Sequence, residues 1–372
     1  MDLEFNQDQE ILRNSVSGMC SQFADLKSLR EIEGKEPGYS TEFWNQLINL
    51  GITGTCIPEK YTGLDMDLLD TCIIYEEFGK NLVFSPHFVS CFLGASLIAK
   101  LGTEKQKKTF LPSLVNGKII LTVAWLEEGS SFHKKGINIS PKQKKEQIVL
   151  NGKKQMVPYF SVSQYVIVLC KEKNGFISSY LVNSNAKGIS SRYQPNHVGE
   201  NLHEVNFKDV SIKEEMILGN GKDIWPQWKD VVDDALVLIG AQASGGAEKA
   251  LSLAVQYSKE REAFGQPIGG FQSIAHYLAD ALVEVEASKL LCYEAAWAKQ
   301  NGKELRRLAS MAKIQSCETF RAVASVTIQI YGGLGFTLEA DPQLFFRRAK
   351  HLQNSLWDYS YLRNQLSEEI LG

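Results

Sequence analysis

The stretch REAFGQPIGGFQ, Arg261 to Gln272, lies between long helical patterns, and the rest of the chain is read outward from it. Upstream, Ala247, Ala250, Leu251, Ala254 and Val255 fall on one face of a helix, with Glu248, Lys249 and Ser252 elsewhere. The run Gln242-Ala243-Ser244-Gly245-Gly246-Ala247 is rich in small residues, which lets helix backbones approach closely. Downstream come QIYGGLGFTLEAD (Gln329 to Asp341) and RRAK (Arg347 to Lys350). Before about Asp223 the period changes. Ile119 to Trp125, Gln147 to Leu150, Tyr165 to Leu169 and Ile177 to Val182 are short, β-branched runs, divided by Asn-Gly pairs at 151–152 and 174–175. With no helical pattern between them, they predict an antiparallel sheet or small barrel. Before about Lys118 helices return. Leu3, Phe5, Ile11, Leu12 and Val16 form a stripe, and so do Phe43, Leu47 and Leu50. Gly51 and Ile57 to Met66 read as a loop, and Leu68 to Phe78 and Ser90 to Lys100 as further helices. The expectation is an α+β protein in three segments: helical over 1–117, antiparallel β over 118–222, helical over 223–372.

The bulk numbers narrow the function classes. A chain of 372 residues, 44% hydrophobic and 22% charged, can bury a large core. Its formal net charge is −3, so the chain as a whole is no electrostatic match for nucleic acid. Lys105-Gln106-Lys107-Lys108 and Lys142 to Lys145 are short basic runs, better explained as solvated helix ends and loops. The seven cysteines are scattered and no CxxC pair occurs, which argues against a zinc site or disulfide framework. The histidines form no close ligand pair, so no metal is expected. The N-terminal MDLEFNQDQEILRNSV is acidic and enters a helical pattern at once, without the basic and apolar regions of a signal peptide. No apolar run is long enough to cross a bilayer. A soluble, cytoplasmic protein is expected.

Together, the motifs quoted above resemble the acyl-CoA dehydrogenase family. The resemblance covers essentially the whole chain. LGITGTCIPEKYTGLDM (Leu50 to Met66) is similar to the family's LGxxGxxxPExxGGxG stretch, and YEEFGK (Tyr75 to Lys80) to the helix that follows. GTEKQKKTFLPSLVNGK (Gly102 to Lys118) and NGKKQMVP (Asn151 to Pro158) match the helix before the β domain and a strand within it. The resemblance implies an N-terminal helical domain, a middle β domain and a C-terminal four-helix bundle. It also implies FAD bound at a dimer interface. Arg261 matches the residue that grips the FAD pyrophosphate, which an Arg can do through two charge-assisted hydrogen bonds. Phe264 matches an aromatic packed on the cofactor, and Gln272 an amide at its polar edge. Gln329, Gly332 and Gly333 lie where backbone approaches its other end. Taken singly, Phe264 would read as core, Gln272 as a satisfied helix polar and Gly332-Gly333 as a helix-ending turn; their family order favours FAD.

The catalytic half departs from the family. Usual members have a glutamate after the last motif that removes the α-proton of an acyl-CoA thioester, while hydride leaves the β-carbon for the flavin. Counted from Glu339, which matches the glutamate of the family's GGxGxxxE stretch, that position falls on Leu356. The family's TExxAGSD becomes TVAWLEEGSSF (Thr122 to Phe132), with Leu126 at the threonine and Glu127 at the glutamate. Its WIT becomes Met156-Val157-Pro158, and proline offers neither hydroxyl nor N–H; the N–H of Leu126 remains available for flavin O2. Asp358 is the nearest candidate base, and it also suits the N-cap of a helix starting at Tyr359. Asp234 is a weaker candidate, and Glu339 reads as structural. The departures resemble a divergent branch that includes the small subunit of pimeloyl-CoA dehydrogenase and the heteromeric acyl-CoA dehydrogenases of steroid breakdown. The resemblance thus implies a homo-oligomer or a heteromer with a homologous subunit, an acyl-CoA substrate and electron transfer to an electron-transfer flavoprotein. A flavin oxidase or monooxygenase using Asp358, or a non-catalytic structural subunit, are the alternatives.

Overall fold

The computed structural model describes residues 5–129, 131–144 and 147–371. Helices come first: α1 (Gln7–Phe23), α2 (Leu26–Ile32), α3 (Thr41–Asn49), α4 (Leu68–Lys80), α5 (Ala95–Leu101) and α6 (Glu104–Val115). Their starts are written in the sequence. Asn6 with Gln9, and Thr103 with Gln106, form capping boxes on α1 and α6, and Asp67 caps α4. Eight strands follow: β1 (Leu121–Ala124), β2 (Lys142–Lys144), β3 (Gln147–Pro158), β4 (Tyr165–Lys171), β5 (Ile177–Asn183), β6 (Ile189–Tyr193), β7 (Leu202–Ile212) and β8 (Ile217–Leu218). Helix α7 (Trp225–Glu260), a hairpin of β9 (Glu262–Ala263) and β10 (Gln266–Pro267), and α8 (Gln272–Gln300) come next. The chain continues through α9 (Arg306–Tyr331), α10 (Pro342–Asn354) and α11 (Tyr359–Leu371).

The described residues of Met1–Arg30, Asp67–Val83 and Asp233–Gly372 form one compact unit. Within it α4 and α7 meet backbone to backbone. A Cβ on Gly245 would lie 2.0 Å from the Glu76 carbonyl, and one on Gly79 1.9 Å from that of Gln242, so neither site admits a side chain. The small-residue run of α7 is thus a helix-crossing device. Buried Glu76 accepts the Tyr293 hydroxyl and lies 3.3 Å from Lys80 and 3.7 Å from Lys289. A buried carboxylate is costly without such partners.

Residues 31–66 and 84–232 form the second unit. Two four-stranded sheets, in the orders β1-β4-β5-β8 and β2-β3-β7-β6, contribute Leu150, Val166, Val168, Val182, Val205 and Phe207 to a common core. Two details differ from the sequence reading. The pair β1–β4 is parallel, which the long connection between them permits. The Asn151-Gly152 pair does not end a strand. β3 runs through it with a register shift at Leu150/Gly152, and Gly152 takes φ 140°, a bulge conformation suited to glycine.

Candidate functional site

In the first unit, the REAFGQP stretch closes as a two-residue hairpin. Ala263 pairs with Gln266 and Glu262 with Pro267. The turn residues Phe264 and Gly265 have φ of 53° and 82°, the left-handed pair that such a tight hairpin requires. Glycine suits this turn, but phenylalanine is strained there by about 1–3 kcal/mol. Strained though it is, Phe264 is 96% exposed and touches Phe271 edge-on at 6.1 Å. Arg261, just past the end of α7, is exposed, and its guanidinium has no partner among the described residues. Gln272 is the exposed first residue of α8. Gln329 is exposed in the last turn of α9, where Tyr331 stacks on Tyr257 at 4.0 Å. Gly332 ends α9 at φ 62°, ψ −140°, dihedrals that only glycine takes readily, and nothing lies within 4 Å of a Cβ built on Gly332 or Gly333. Leu334, Phe336 and Leu338 of the following loop are exposed. Arg30 anchors that loop, donating to the Glu339 carbonyl at 3.2 Å and pairing with Asp341 at 2.9 Å.

The turn between α10 and α11 has the opposite character. Leu356 is 5% exposed with φ 61°, and Trp357 beside it is buried. A carboxylate oxygen of Asp358 accepts the Tyr361 N–H at 2.8 Å, the N-cap bond of α11. The Lys313 ammonium, from α9, donates to the carbonyls of Ser355 at 2.7 Å and Trp357. Asp234 of α7 pairs with Lys299 and Asp233 with Arg306, so both carboxylates are engaged.

In the second unit, Glu127 accepts the N–H groups of Asn138 and Ile139 at 3.0 Å and the Lys154 ammonium at 2.8 Å. Lys154 is fully buried, which holds its ammonium below the ordinary lysine range, and it also donates to the Trp125 carbonyl. The pair therefore ties the segment after β1 to β3. Met156 takes φ 52°, and its N–H donates to the Gln194 side chain at 2.7 Å. The Pro158 carbonyl accepts the Thr122 hydroxyl. Lys154 and Lys313 were missed by sequence reasoning. The one available signal was a lysine at an inward position of an apolar pattern, as for Lys313 between buried Ala309, Ala312 and Cys317.

Family models fit both flanks of the β segment. The model for "Acyl-CoA dehydrogenase, N-terminal domain" matches residues 6–118, and that for "Acyl-CoA dehydrogenase, C-terminal domain" residues 229–355. The short-chain specific acyl-CoA dehydrogenase of Megasphaera elsdenii is 31% identical over 85% of this chain and 86% of its own. The chain belongs to the acyl-CoA dehydrogenase family. Its structure superposes on that of butyryl-CoA dehydrogenase from Megasphaera elsdenii with a TM-score of 0.92, at 26% identity over 100% of both chains. A relative from Acetobacterium woodii, described as the CarC subunit of a caffeyl-CoA reductase–Etf complex, is 26% identical over 92% of this chain and 93% of its own. The chain is thus an oxidoreductase-type flavoprotein by family.

The residues present fit one part of a flavin dinucleotide better than the other. Arg261 offers an unpartnered guanidinium for a pyrophosphate, Phe264 an exposed ring, and Gly332-Gly333 bare backbone with open space beside it. At the positions that the resemblance sets beside the flavin ring, the Met156 N–H and the Pro158 carbonyl are already bonded within the chain. Among the described residues, no cluster of His, Cys, Asp and Glu is arranged to hold a metal, and no helix is long and apolar enough to cross a membrane.

Proposed function

We propose that the chain is the FAD-carrying, base-deficient subunit of an acyl-CoA dehydrogenase-type assembly. Arg261, Phe264, Gln272, Gln329, Gly332 and Gly333 bind the dinucleotide, and a homologous subunit supplies the carboxylate that removes the substrate's α-proton. The observation that carries this reading is Leu356: the residue at the base position is apolar, buried and left-handed, and the nearest acid, Asp358, caps α11. When bound, the flavin supplies the hydride acceptor for oxidation across an acyl-CoA α,β-bond. Proton removal there needs a carboxylate within hydrogen-bond reach of the α-carbon, and Leu356 cannot serve.

Helix α8 supports a partner. Its inner face buries Ala281, Val285, Ser288 and Cys292 in the first unit, yet Tyr277, Leu282, Val283 and Leu290 are exposed on its other faces. Asp280, Glu284 and Glu286 are exposed among them, but this many large apolar side chains on one exposed helix suit a protein interface, and a homologous chain provides one. Gln272 starts the same helix, so cofactor and partner converge on one region. The Acetobacterium relative's description, as a subunit of a complex with Etf, supports an electron-transfer flavoprotein as acceptor. We place the assembly in the cytoplasm. The oxidase reading with Asp358 as base is weaker, because that carboxylate is committed to α11. A purely structural role would leave the open Arg261, Phe264 and Gly332-Gly333 unexplained.

The experiment is to purify the chain alone and together with a co-expressed homologous subunit, and to record flavin absorbance before and after acyl-CoA. The expected result is that substrate bleaches the flavin only in the assembly. Bleaching by the chain alone overturns the proposal. An assembly that carries no flavin bound to this chain shows a structural subunit.

A further inference from the structure

A buried ammonium organises the turn in which residue 356 stands. Lys313 is 1% exposed on α9, and its Nζ lies 2.7 Å from the Ser355 carbonyl and 3.5 Å from that of Gln353, with the Trp357 carbonyl also in contact. An ammonium has three donors, and each finds a backbone acceptor here. Two of those acceptors stand on either side of residue 356. The third belongs to the last turn of α10, where a helix leaves unsatisfied carbonyls and the negative end of its dipole. No carboxylate lies within ion-pair distance of Lys313 among the described residues.

We propose that Lys313 is a positioning residue for the Ser355–Asp358 turn. By drawing the carbonyls flanking residue 356 towards one point, it holds that residue left-handed and sets the direction of its Cα–Cβ bond. Its grip is on backbone, so it is indifferent to the side chain at 356. That explains how the turn keeps a strained, left-handed form around a leucine, which gains nothing from it. A carboxylate placed at 356 would inherit the same presentation. This functional meaning rests on the flavoprotein reading above, whereas the test below needs neither flavin nor substrate, so the two fail separately.

Burial pulls the Lys313 ammonium down to about 8, against the opposing influence of Cys317 on α9 and Asp358 in the turn; α7, α8, α10 and α11, also packed on α9, add no other charge that acts on it.

The test is hydrogen–deuterium exchange on the full chain, read in peptides spanning residues 352–362. Lys313→Met should lower protection there about tenfold or more, the effect of losing charged hydrogen bonds, while peptides from α7 stay unchanged. Lys313→Arg, which keeps cationic donors for the same carbonyls, should retain much of that protection. Unchanged protection in Lys313→Met, or the same loss in Lys313→Arg, overturns the proposal. If Lys313→Met does not fold, Lys313→Gln, which keeps amide donors but no charge, decides: protection should fall in 352–362 and not in α7, and no change in 352–362 overturns the proposal.

Discussion

The hairpin at 261–272 and the turn at 355–358 stand in the same compact unit and both contain a non-glycine residue in left-handed backbone, Phe264 and Leu356. They differ in what surrounds the strain. Phe264 is exposed beside an Arg261 whose guanidinium has no partner among the described residues, with only an edge-on contact to Phe271. Leu356 is buried, and its neighbours are bonded: carbonyls to Lys313, carboxylate to the Tyr361 N–H. Strain with unsatisfied groups marks a surface that awaits something, whereas strain with every group satisfied marks a finished piece of structure. The comparison predicts that changes in the turn damage the fold and changes in the hairpin damage ligand binding.

The largest effect should come from Trp357→Ala, which empties a buried aromatic site and should cost about 3–5 kcal/mol of stability in denaturant melts. A small loss would mean that the turn is less tightly built than its burial says. Next is Arg261→Ala, expected to leave the melting temperature unchanged and to weaken FAD by about 1.5–3 kcal/mol, measured by titration of the assembled protein. Wild-type FAD affinity would remove Arg261 from the site and break the comparison. Asp358→Ala should cost about 1 kcal/mol through loss of the α11 cap, with the rate of flavin bleaching in the assembly unaltered. Loss of bleaching with stability intact would reverse the assignment of that carboxylate. The smallest change is Phe264→Asn. Asparagine tolerates the left-handed turn, so the fold should gain about 1 kcal/mol or less while the assembled protein holds FAD less firmly.

The parts legible in sequence were those set by local pattern. The helical patterns of α4 and α7 and the β-branched runs of β1, β4 and β5 each depend on neighbours within a few residues. So did Gly332, whose dihedrals only glycine takes readily. What escaped depends on distant partners. The β3 strand continues through Asn151-Gly152 because β7 pairs with both sides of the bulge. Glu127 is a clamp because Lys154 and the amides of Asn138 and Ile139 reach it from other strands and loops. Lys313 reads as an intrusion in an apolar face until the end of α10 and the turn after it bring three carbonyls to it. The gap at Leu356 was readable as a letter. Its burial, and the commitment of Asp358 to α11, were not.

The central claim is that this chain carries flavin yet lacks its own base. It is tested most directly by mixing the purified chain, reconstituted with FAD and free of any partner, with acyl-CoA in the absence of oxygen. The account predicts that the flavin absorbance stays unbleached, and that bleaching begins when the homologous subunit is added. Prompt bleaching of the chain alone, abolished by Asp358→Asn, would contradict it.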